Sequence, residues 1–270
     1  MSRPERLASF LILVVVLALG AAMPPAAAAS ERIAGDGWAM TVHYPAGDGP
    51  VPAVIVMPGC SGNRPPAVAR GLRAHARALN AAGFAAAIVD VLSPRGLDTI
   101  CARPALLARL TQAVPADIAD AAARLGRLRR VDARRLAFLG QSFGGSVALE
   151  IAAGAGGRFA AIVAYYPWCA EGYGGNGRSR FAAPVLILAG LADDWTPADR
   201  CTRLRPVSGS RPARIVAYRG AHHSFDLPGL PRQKVPGVGG AKTVGGNPAA
   251  AADSRRRYLA FLKERLEDRR

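Results

Sequence analysis

Leu136-Ala137-Phe138-Leu139-Gly140-Gln141-Ser142-Phe143-Gly144-Gly145 decides the fold: a short apolar run leads into Gly-x-Ser-x-Gly and then into an alanine-rich helical segment. Strand, sharp turn and helix in this order place Ser142 on the turn, with its hydroxyl projecting from the sheet edge. Glycine is expected at 140 and 144 because a Cβ there would collide with neighbouring backbone. The turn also directs the first free N–H groups of the helix toward a reacting carbonyl oxygen. The pattern indicates a nucleophilic serine, and a bystander serine in an ordinary strand–helix turn is the alternative.

Apolar runs and helical segments alternate along the rest of the chain, and continuous apolar runs are typical of strands buried on both faces. The predicted strands are Trp38–Tyr44 (at an edge), Val51–Met57, Phe84–Val91, Leu136–Leu139, Phe159–Tyr166, Val185–Ala189 and Arg214–Tyr218. The predicted helices are Pro65–Ala82, one from near Pro115 to about Arg130, one from the serine turn to about Ala153, Pro197–Leu204 and Ala249–Leu266. The Gly- and Pro-rich segment 227–247 is expected to be a long surface loop. The alternation predicts one α/β domain over residues 30–270, with a mostly parallel central sheet and helices on both faces.

A serine nucleophile needs a base, and the base needs an orienting carboxylate. His222 and His223 follow the last predicted strand, and Asp193 and Asp194 follow the strand before it. His75 lies within a predicted helix and is expected to be solvated. In parallel sheets the ligand site lies beyond the carboxyl ends of the strands, so these groups are placed to meet. A helix cap and a polar loop are the alternative interpretations, but the order Ser, Asp, His is that of the α/β-hydrolases.

Three motifs together resemble the dienelactone hydrolase family: Gly-x-Ser-x-Gly at 140–144, Gly-x-x-Asp-Asp-Trp-Thr-Pro at 190–197 and Ala-His-His-Ser-Phe at 221–225. The resemblance extends over about residues 38–266. It implies an α/β-hydrolase fold and a hydrolase that cleaves a carboxylic ester or lactone without a cofactor or metal. It also implies that Ser142 is the nucleophile, that Asp193, four residues before the proline, is the acid, and that His223, directly before Ser-Phe, is the base. Asp194 and His222 are then neighbours of the catalytic groups.

The family pattern further implies an oxyanion hole made by the backbone N–H groups of Phe143 and Cys60, the latter in the loop after the Val51–Met57 strand. The type enzyme of the family uses a cysteine nucleophile with a glutamate from that loop, and it holds its substrate's carboxylate with arginines. Here the nucleophile is a serine and the loop at 57–60 has no carboxylate. Arg95 falls near one of the arginines and is expected to bind substrate, whereas Asp226 stands where another would be. These departures argue against dienelactone itself as the substrate.

The N-terminus has the pattern of a secretory signal peptide over residues 1–29. Arg3 and Arg6 precede an apolar run from Phe10 to Leu19, and small residues follow up to Ser30. The apolar run is short for a membrane span, although an uncleaved N-terminal anchor is the alternative. The pattern predicts a periplasmic or secreted enzyme with no stable membrane span after cleavage.

Four cysteines in an exported chain indicate disulfides. They are Cys60, Cys101, Cys169 and Cys201, and their wide spacing without a C-x-x-C motif argues against a zinc site. Three pairings are formally available. Cys60 and Cys101 follow successive predicted strands at the carboxyl edge, and so do Cys169 and Cys201, which favours these two pairs. A free thiol at Cys60 is the alternative.

The formal net charge is +16, which raises the question of an anionic partner. The arginines are scattered, however, and aromatic residues make up only 6% of the chain and are not interleaved with the basic clusters. The composition therefore predicts solvated charged faces and no nucleic-acid partner. A small-molecule ester or lactone is the substrate that the family resemblance implies. The alternatives are a peptidase or thioesterase on the same fold, or a non-catalytic binding protein, against which an intact Ser, His and Asp set argues.

Overall fold

The computed structural model describes residues 30–154, 158–169, 179–204 and 208–267 of the chain. The expected signal peptide, residues 1–29, lies outside the described residues. The strands are β1 (Ser30–Gly35), β2 (Trp38–His43), β3 (Val51–Met57), β4 (Ala85–Asp90), β5 (Val131–Gln141), β6 (Ala161–Tyr165), β7 (Val185–Gly190), β8 (Ala213–Tyr218), β9 (Gln233–Gly237) and β10 (Gly240–Val244). The helices are α1 (Pro66–Ala81), α2 (Pro104–Leu125), α3 (Phe143–Ala153), α4 (Ala198–Thr202) and α5 (Pro248–Glu267).

Eight strands form one sheet in the order β1-β2-β4-β3-β5-β6-β7-β8. The six strands from β4 to β8 in this order are parallel, whereas β2 runs antiparallel to both β1 and β4. The expected mostly parallel sheet is therefore confirmed. Because β5, β7 and β8 are parallel, the segments that follow them leave the same edge of the sheet.

Helices cover both faces of the sheet because the strand side chains alternate between two apolar clusters. Ile55 and Phe138 belong to the cluster that packs against α2 and α3. Their strand neighbours Val54, Val56 and Leu139 belong to the cluster on the other face, against α1 and α5. The central strands are thus buried on both sides, as their continuous apolar runs predicted.

The expectation that Trp38–Tyr44 lies at the sheet edge is wrong. β1 pairs with β2 outside it, in register from Ser30 opposite His43 to Gly35 opposite Trp38. Two residues, Asp36 and Gly37, connect the strands, and Gly37 has a φ of 72°. Asp-Gly in a two-residue connection is the strongest short-range signal of a β-hairpin, because the second position favours a residue that tolerates positive φ.

The predicted start of the second helix near Pro115 is also wrong, because α2 begins at Pro104 and contains Pro115 in its interior. Proline removes one backbone hydrogen bond from a helix and usually ends it. Here the apolar stripe runs through the proline, with Leu110 and Val114 buried before it and Ile118 buried after it. Burial of this stripe in the core outweighs the local cost of the proline.

The segment expected to be a long surface loop contains a β-hairpin. β9 and β10 pair in register from Gln233 opposite Val244 to Gly237 opposite Gly240, and two residues connect them. The hairpin is fixed to the sheet edge because Gly245 N–H donates to the carbonyl of His223, the residue opposite Val244 in a single parallel bridge. The glycines of this segment therefore form a turn between strands.

Both expected disulfides are present. Cys60 is bonded to Cys101 and Cys169 to Cys201, closing sequence separations of 41 and 32 residues. In each pair the cysteines lie beyond the carboxyl ends of strands, as the pairing argument required. In the part of the chain that the structure describes, no helix combines the length and apolarity needed to cross a bilayer.

Candidate active site

Ser142 lies on the tight turn between β5 and α3. Its backbone has a φ of 55° and a ψ of −114°, which is a costly conformation for a residue with a side chain. A Cβ on Gly140 would lie 1.9 Å from the Gly144 carbonyl oxygen, and one on Gly144 would lie 2.6 Å from the Met57 carbonyl oxygen. Both contacts are impossible, so the expected reason for these glycines is confirmed.

Backbone strain is concentrated around Ser142. Among the described residues, the non-glycine positions with positive φ are Ser142, Tyr166 (35°) and Ser224 (63°). Ser224 directly follows His223, and the Tyr166 ring packs on the His223 ring with centroids 4.6 Å apart. Such conformations each cost on the order of 1–3 kcal/mol and persist where the surrounding structure holds them. The three strained positions are therefore the serine itself, the residue after His223 and the residue whose ring packs on His223.

A line of hydrogen bonds connects Ser142 to Asp193 through His223. The His223 Nε2 atom lies 2.9 Å from the Ser142 Oγ, and its Nδ1 lies 2.7 Å from the Asp193 Oδ2. The serine follows β5, the aspartate follows β7 and the histidine follows β8, so the parallel sheet brings the three together at one edge. With the proton of the neutral imidazole on Nδ1, Nε2 is free to accept the serine proton.

Asp193 is buried and its carboxylate is fully hydrogen-bonded. The backbone N–H groups of Trp195 and Thr196 donate to Oδ1 at 2.8 and 2.9 Å, and the Thr196 Oγ1 lies 2.9 Å from Oδ2. Burial acts to raise the pKa of Asp193, but His223 and these backbone donors outweigh it and hold the pKa below its ordinary value. The group is therefore an anion near neutral pH and orients the imidazole.

Thr196 also fixes the aspartate loop to the strand beside it. Its Oγ1 lies 2.9 Å from the Tyr166 carbonyl oxygen and 3.1 Å from the His223 Nδ1. Thr196 is therefore in contact with both partners of the Asp193–His223 pair and with the strained Tyr166. Sequence reasoning missed this role, although the threonine lies within the motif that identified Asp193.

The two expected oxyanion donors lie beside Ser142. Cys60 and Phe143 line one cavity together with the serine. A Cβ on Gly59 would lie 3.0 Å from the Ser142 Cβ, so the loop after β3 packs closely on the nucleophile turn. The Cys60 carbonyl accepts from Ile100 N–H at 2.9 Å, and the disulfide to Cys101 joins the same two segments. These bonds fix the Cys60 backbone to the segment at Ile100 and Cys101.

The neighbouring residues Asp194 and His222 have hydrogen-bond partners other than Ser142 and His223. Asp194 accepts from the Thr243 backbone N–H at 2.8 Å and from its Oγ1 at 2.7 Å, which ties the aspartate loop to β10. The His222 Nδ1 lies 2.8 Å from the Ala192 carbonyl oxygen. Both side chains brace the loops that carry Asp193 and His223.

The structure does not bring Arg95 to this site, so the expected substrate-binding role requires correction. The Arg95 side chain binds the carbonyls of Gly37 and Val91 and forms an ion pair with Asp117 at 2.5 Å. It lines neither of the two cavities that open at Ser142. The guanidinium is held by these partners because the Ser93–Arg95 turn places it against the β1–β2 hairpin.

A buried polar cluster lies directly behind the nucleophile turn, and it overturns the expectation that His75 is solvated. Asp226 accepts from His75 Nε2 at 2.8 Å, from Gln141 Nε2 at 2.6 Å and from the Tyr166 hydroxyl at 2.6 Å. His75 also lies 3.2 Å from the Tyr258 hydroxyl through Nδ1. Burial acts to raise the pKa of Asp226, but these donors keep it below its ordinary value. The cluster joins the residue before Ser142 to the loop that carries His223.

A mostly parallel sheet with a serine turn after β5, a carboxylate after β7 and a histidine after β8 defines an α/β-hydrolase. The model of the dienelactone hydrolase family matches residues 39–266. The chain therefore belongs to the dienelactone hydrolase family, and it is a hydrolase that acts on ester bonds. Among curated proteins, none matches the sequence.

Solved structures with this fold are similar over most of the chain. A candidate dienelactone hydrolase from Klebsiella pneumoniae is 24% identical with a TM-score of 0.67, and the match covers 88% of this chain and 99% of that one. A dienelactone hydrolase-like promiscuous phosphotriesterase from metagenomic libraries is 22% identical with a TM-score of 0.62, covering 89% and 100%. The 2,6-dihydroxy-pseudo-oxynicotine hydrolase is 17% identical with a TM-score of 0.58, covering 88% and 68%. At these identities the similarity concerns the fold alone.

Proposed function

We propose that the protein is a serine hydrolase that cleaves a carboxylic ester or lactone, with Ser142 as nucleophile, His223 as base and Asp193 as the orienting acid. The observation that carries the proposal is the continuous hydrogen-bonded line from Asp193 Oδ2 through His223 to the Ser142 Oγ, at 2.7 and 2.9 Å. Its position on a strained turn beside two backbone donors adds to this support, because a serine without a base is a weak nucleophile.

In the first half of the reaction, Ser142 Oγ forms a bond to the substrate carbonyl carbon and its proton passes to His223 Nε2. The negative charge that develops on the carbonyl oxygen is held by the N–H groups of Phe143 and Cys60. The imidazolium is stabilised by Asp193, whose lowered pKa keeps it ionised. His223 then donates its proton to the leaving oxygen as the carbon–oxygen bond breaks, which leaves an acyl group on the serine.

In the second half, a water molecule takes the place of the leaving alcohol. His223 accepts a proton from this water while its oxygen attacks the acyl carbon, and the same two N–H groups hold the oxyanion. The proton returns to Ser142 Oγ as the acyl–oxygen bond breaks and the carboxylic acid leaves. No cofactor enters either half.

The two positions at which the family pattern would place substrate-binding arginines favour an ester other than dienelactone. The Arg95 guanidinium is engaged by Asp117, and Asp226 is a buried anion held by its own donors. Neither position offers a cation to a substrate carboxylate. The proposal therefore concerns carboxylic esters and lactones without a requirement for a second carboxylate.

We also propose that the protein is exported as one hydrolase domain over residues 30–270, after removal of residues 1–29. The basic and apolar pattern of the N-terminus supports this, and so do the two disulfides, which form in oxidising compartments. Intact mass of the protein from the periplasm or medium tests it: a chain beginning near Ser30 is expected, and a full-length membrane-bound chain would contradict the proposal.

Hydrolysis of a short 4-nitrophenyl ester tests the proposed function. Ser142→Ala removes the nucleophile with little change in packing and is expected to lower kcat by several orders of magnitude. Ser254→Ala is the control for removal of a serine hydroxyl, because Ser254 is buried in α5, where its Oγ accepts from the Tyr165 hydroxyl at 3.0 Å. The control is expected to keep its activity. Retention of more than about a tenth of the rate by Ser142→Ala would refute the assignment.

A further inference from the structure

Two adjoining cavities open at Ser142. One has a volume of about 520 Å³ and the other about 450 Å³, and both are lined by Ser142, Cys60 and Trp195. Each lies in the usual size range of small-molecule sites. We call them the Leu107 cavity and the Leu230 cavity, after one apolar residue that lines each. An ester bond held at Ser142 would therefore have one space for each of its two arms.

The two cavities differ in polarity. Residues Pro65, Pro66, Val68, Leu227, Leu230 and Val235 give the Leu230 cavity apolar walls. No Lys, Arg, Asp or Glu is among the described residues that line it. The Leu107 cavity has apolar walls near Leu107 and Trp168 but also contains Lys242, Gln112 and Glu150. Burial raises the pKa of Glu150, and Gln112 donates to it at 3.1 Å.

The β9–β10 hairpin contributes a wall to both cavities. Val235 and Val244 face the Leu230 cavity, whereas Val238 and Lys242 face the Leu107 cavity. The hairpin is held by the two hydrogen bonds between Asp194 and Thr243 described above. A segment fixed on the residue next to Asp193 thus helps to separate the two spaces.

His223 lines the Leu230 cavity and is not among the residues that line the Leu107 cavity. In the proposed reaction His223 must donate a proton to the leaving oxygen, so that oxygen and the group attached to it have to lie on the histidine side. Phe143, one of the two oxyanion donors, lines only the Leu107 cavity. Cys60, the other donor, lines both cavities, so the carbonyl oxygen lies where the two cavities meet. With the leaving group on the histidine side, the Leu107 cavity is the space that remains for the acyl chain.

We propose that the Leu230 cavity binds the alcohol part of the substrate and the Leu107 cavity binds the acyl part, so that the preferred substrate is an open-chain ester of a bulky, uncharged alcohol. This rests on the proposed function. An apolar alcohol group packs against the apolar walls of this cavity. A carboxylate buried there would have no Lys or Arg among the described lining residues to compensate its charge. A small alcohol would leave the cavity unfilled and gain little from binding.

Esters that differ in only one arm test the assignment. For the wild-type protein, cyclohexylmethyl butyrate is expected to exceed ethyl butyrate in kcat/KM by at least about tenfold. The 4-carboxylate derivative of the same cyclohexylmethyl ester is expected to fall at least about tenfold below the uncharged ester. All of these esters have primary alcohols and the same acyl group, so the comparison isolates the alcohol cavity.

Two matched variants assign each cavity to its arm. Leu230→Trp is expected to lower the ratio of cyclohexylmethyl to ethyl butyrate by about fivefold or more, with little effect on the ratio of ethyl hexanoate to ethyl acetate. Leu107→Trp is expected to lower the ratio of ethyl hexanoate to ethyl acetate by about fivefold or more, with little effect on the ratio of cyclohexylmethyl to ethyl butyrate. Each variant is the control for the other, and the use of ratios removes any general loss of folded protein.

The assignment would be overturned if Leu230→Trp changed the acyl ratio and Leu107→Trp changed the alcohol ratio. Equal kcat/KM for the esters of the large, small and charged alcohols would also overturn it. Ser142→Ala is measured on the same esters. If ester turnover persists in Ser142→Ala, the proposed function fails. If turnover depends on Ser142 but the ratios do not move as stated, only the assignment of the cavities fails.

Discussion

Removal of the buried carboxylate of Asp226 is expected to destabilise the protein strongly. Asp226 accepts hydrogen bonds from three donors, His75, Gln141 and Tyr166, at 2.6 to 2.8 Å. In Asp226→Ala all three donors lose this shared acceptor while they remain in the interior. The Ala side chain also leaves a void, because Asp226 is only 3% exposed.

The size of the effect follows from the burial of the cluster. Each buried donor that loses its partner costs about 1–3 kcal/mol, so the loss of three such hydrogen bonds costs at least about 3 kcal/mol. We therefore expect the free energy of unfolding of Asp226→Ala to fall by at least about 3 kcal/mol. The matched control is Asp199→Ala, which breaks an exposed ion pair with Arg203 and is expected to cost at most about 1 kcal/mol.

The effect has a pH dependence of known sign. The pKa of Asp226 is lowered in the folded protein, whereas in the unfolded chain an aspartate titrates near about 3.9. Its stabilising contribution is therefore fully present above the unfolded pKa and is lost as the pH falls through the folded pKa. The difference in stability between wild type and Asp226→Ala is expected to shrink as the pH falls below about 4.

Guanidinium denaturation followed by tryptophan fluorescence measures these differences, with the m-value checked for two-state behaviour. Asp226→Asn, which retains one acceptor oxygen, is expected to lie between wild type and Asp226→Ala. A loss below about 1 kcal/mol for Asp226→Ala at neutral pH, similar to the control, would refute the reasoning. A difference that grows as the medium becomes acidic would refute the sign of the pKa shift.

Three further predictions concern the residues around Ser142. His223→Ala is expected to lower kcat by several orders of magnitude. His222→Ala loses only a contact to a backbone carbonyl and is expected to have a much smaller effect on kcat, and steady-state kinetics that reverse this order would contradict the choice of base. Asp193→Asn is likewise expected to reduce kcat far more than Asp194→Asn, measured in the same assay. Cys101→Ser removes the disulfide that closes a sequence separation of 41 residues, and it is expected to lower the free energy of unfolding by about 2–4 kcal/mol. It is also expected to lower kcat, and an unchanged kcat would show that the disulfide does not hold the Cys60 donor in place.

Much of the candidate site could be predicted from local sequence signals. Gly140 and Gly144 permit the tight turn between strand and helix on which Ser142 lies. Asp193 and His223 could be assigned to the same sheet edge because each follows an apolar run, and parallel strands bring their carboxyl ends together. The same geometry predicted both disulfides. These inferences need only the direction of the strands and the order of the residues along the chain.

The buried cluster at Asp226 could not be derived in the same way, because it joins residues far apart in the sequence. His75 and Asp226 are separated by 151 positions and meet only when α1 packs beside the loop after β8. One signal was available for the histidine. Leu72, His75, Ala76 and Leu79 have helical spacing and form the buried face of α1, so His75 lies on an apolar stripe and not on a solvated one.

Both hairpins that the sequence interpretation missed have two-residue connections with a glycine at positive φ. These are Asp36-Gly37 in the first, and Val238-Gly239 in the second, where Gly239 has a φ of 76°. The first is a strong hairpin signal. The second is a weaker one, because its strands contain Pro236, Gly237 and Gly240, which locally argue against a sheet. Thr243 of β10 is also hydrogen-bonded to Asp194.

The nucleophile is tested most directly by covalent labelling with a serine-directed organophosphonate, followed by intact mass and peptide mapping. We expect one adduct per chain, located on Ser142, which is absent in Ser142→Ala and forms much more slowly in His223→Ala. Loss of ester hydrolysis should follow the extent of labelling. An adduct on another residue, or full ester turnover by a chain whose Ser142 is labelled, would contradict the account.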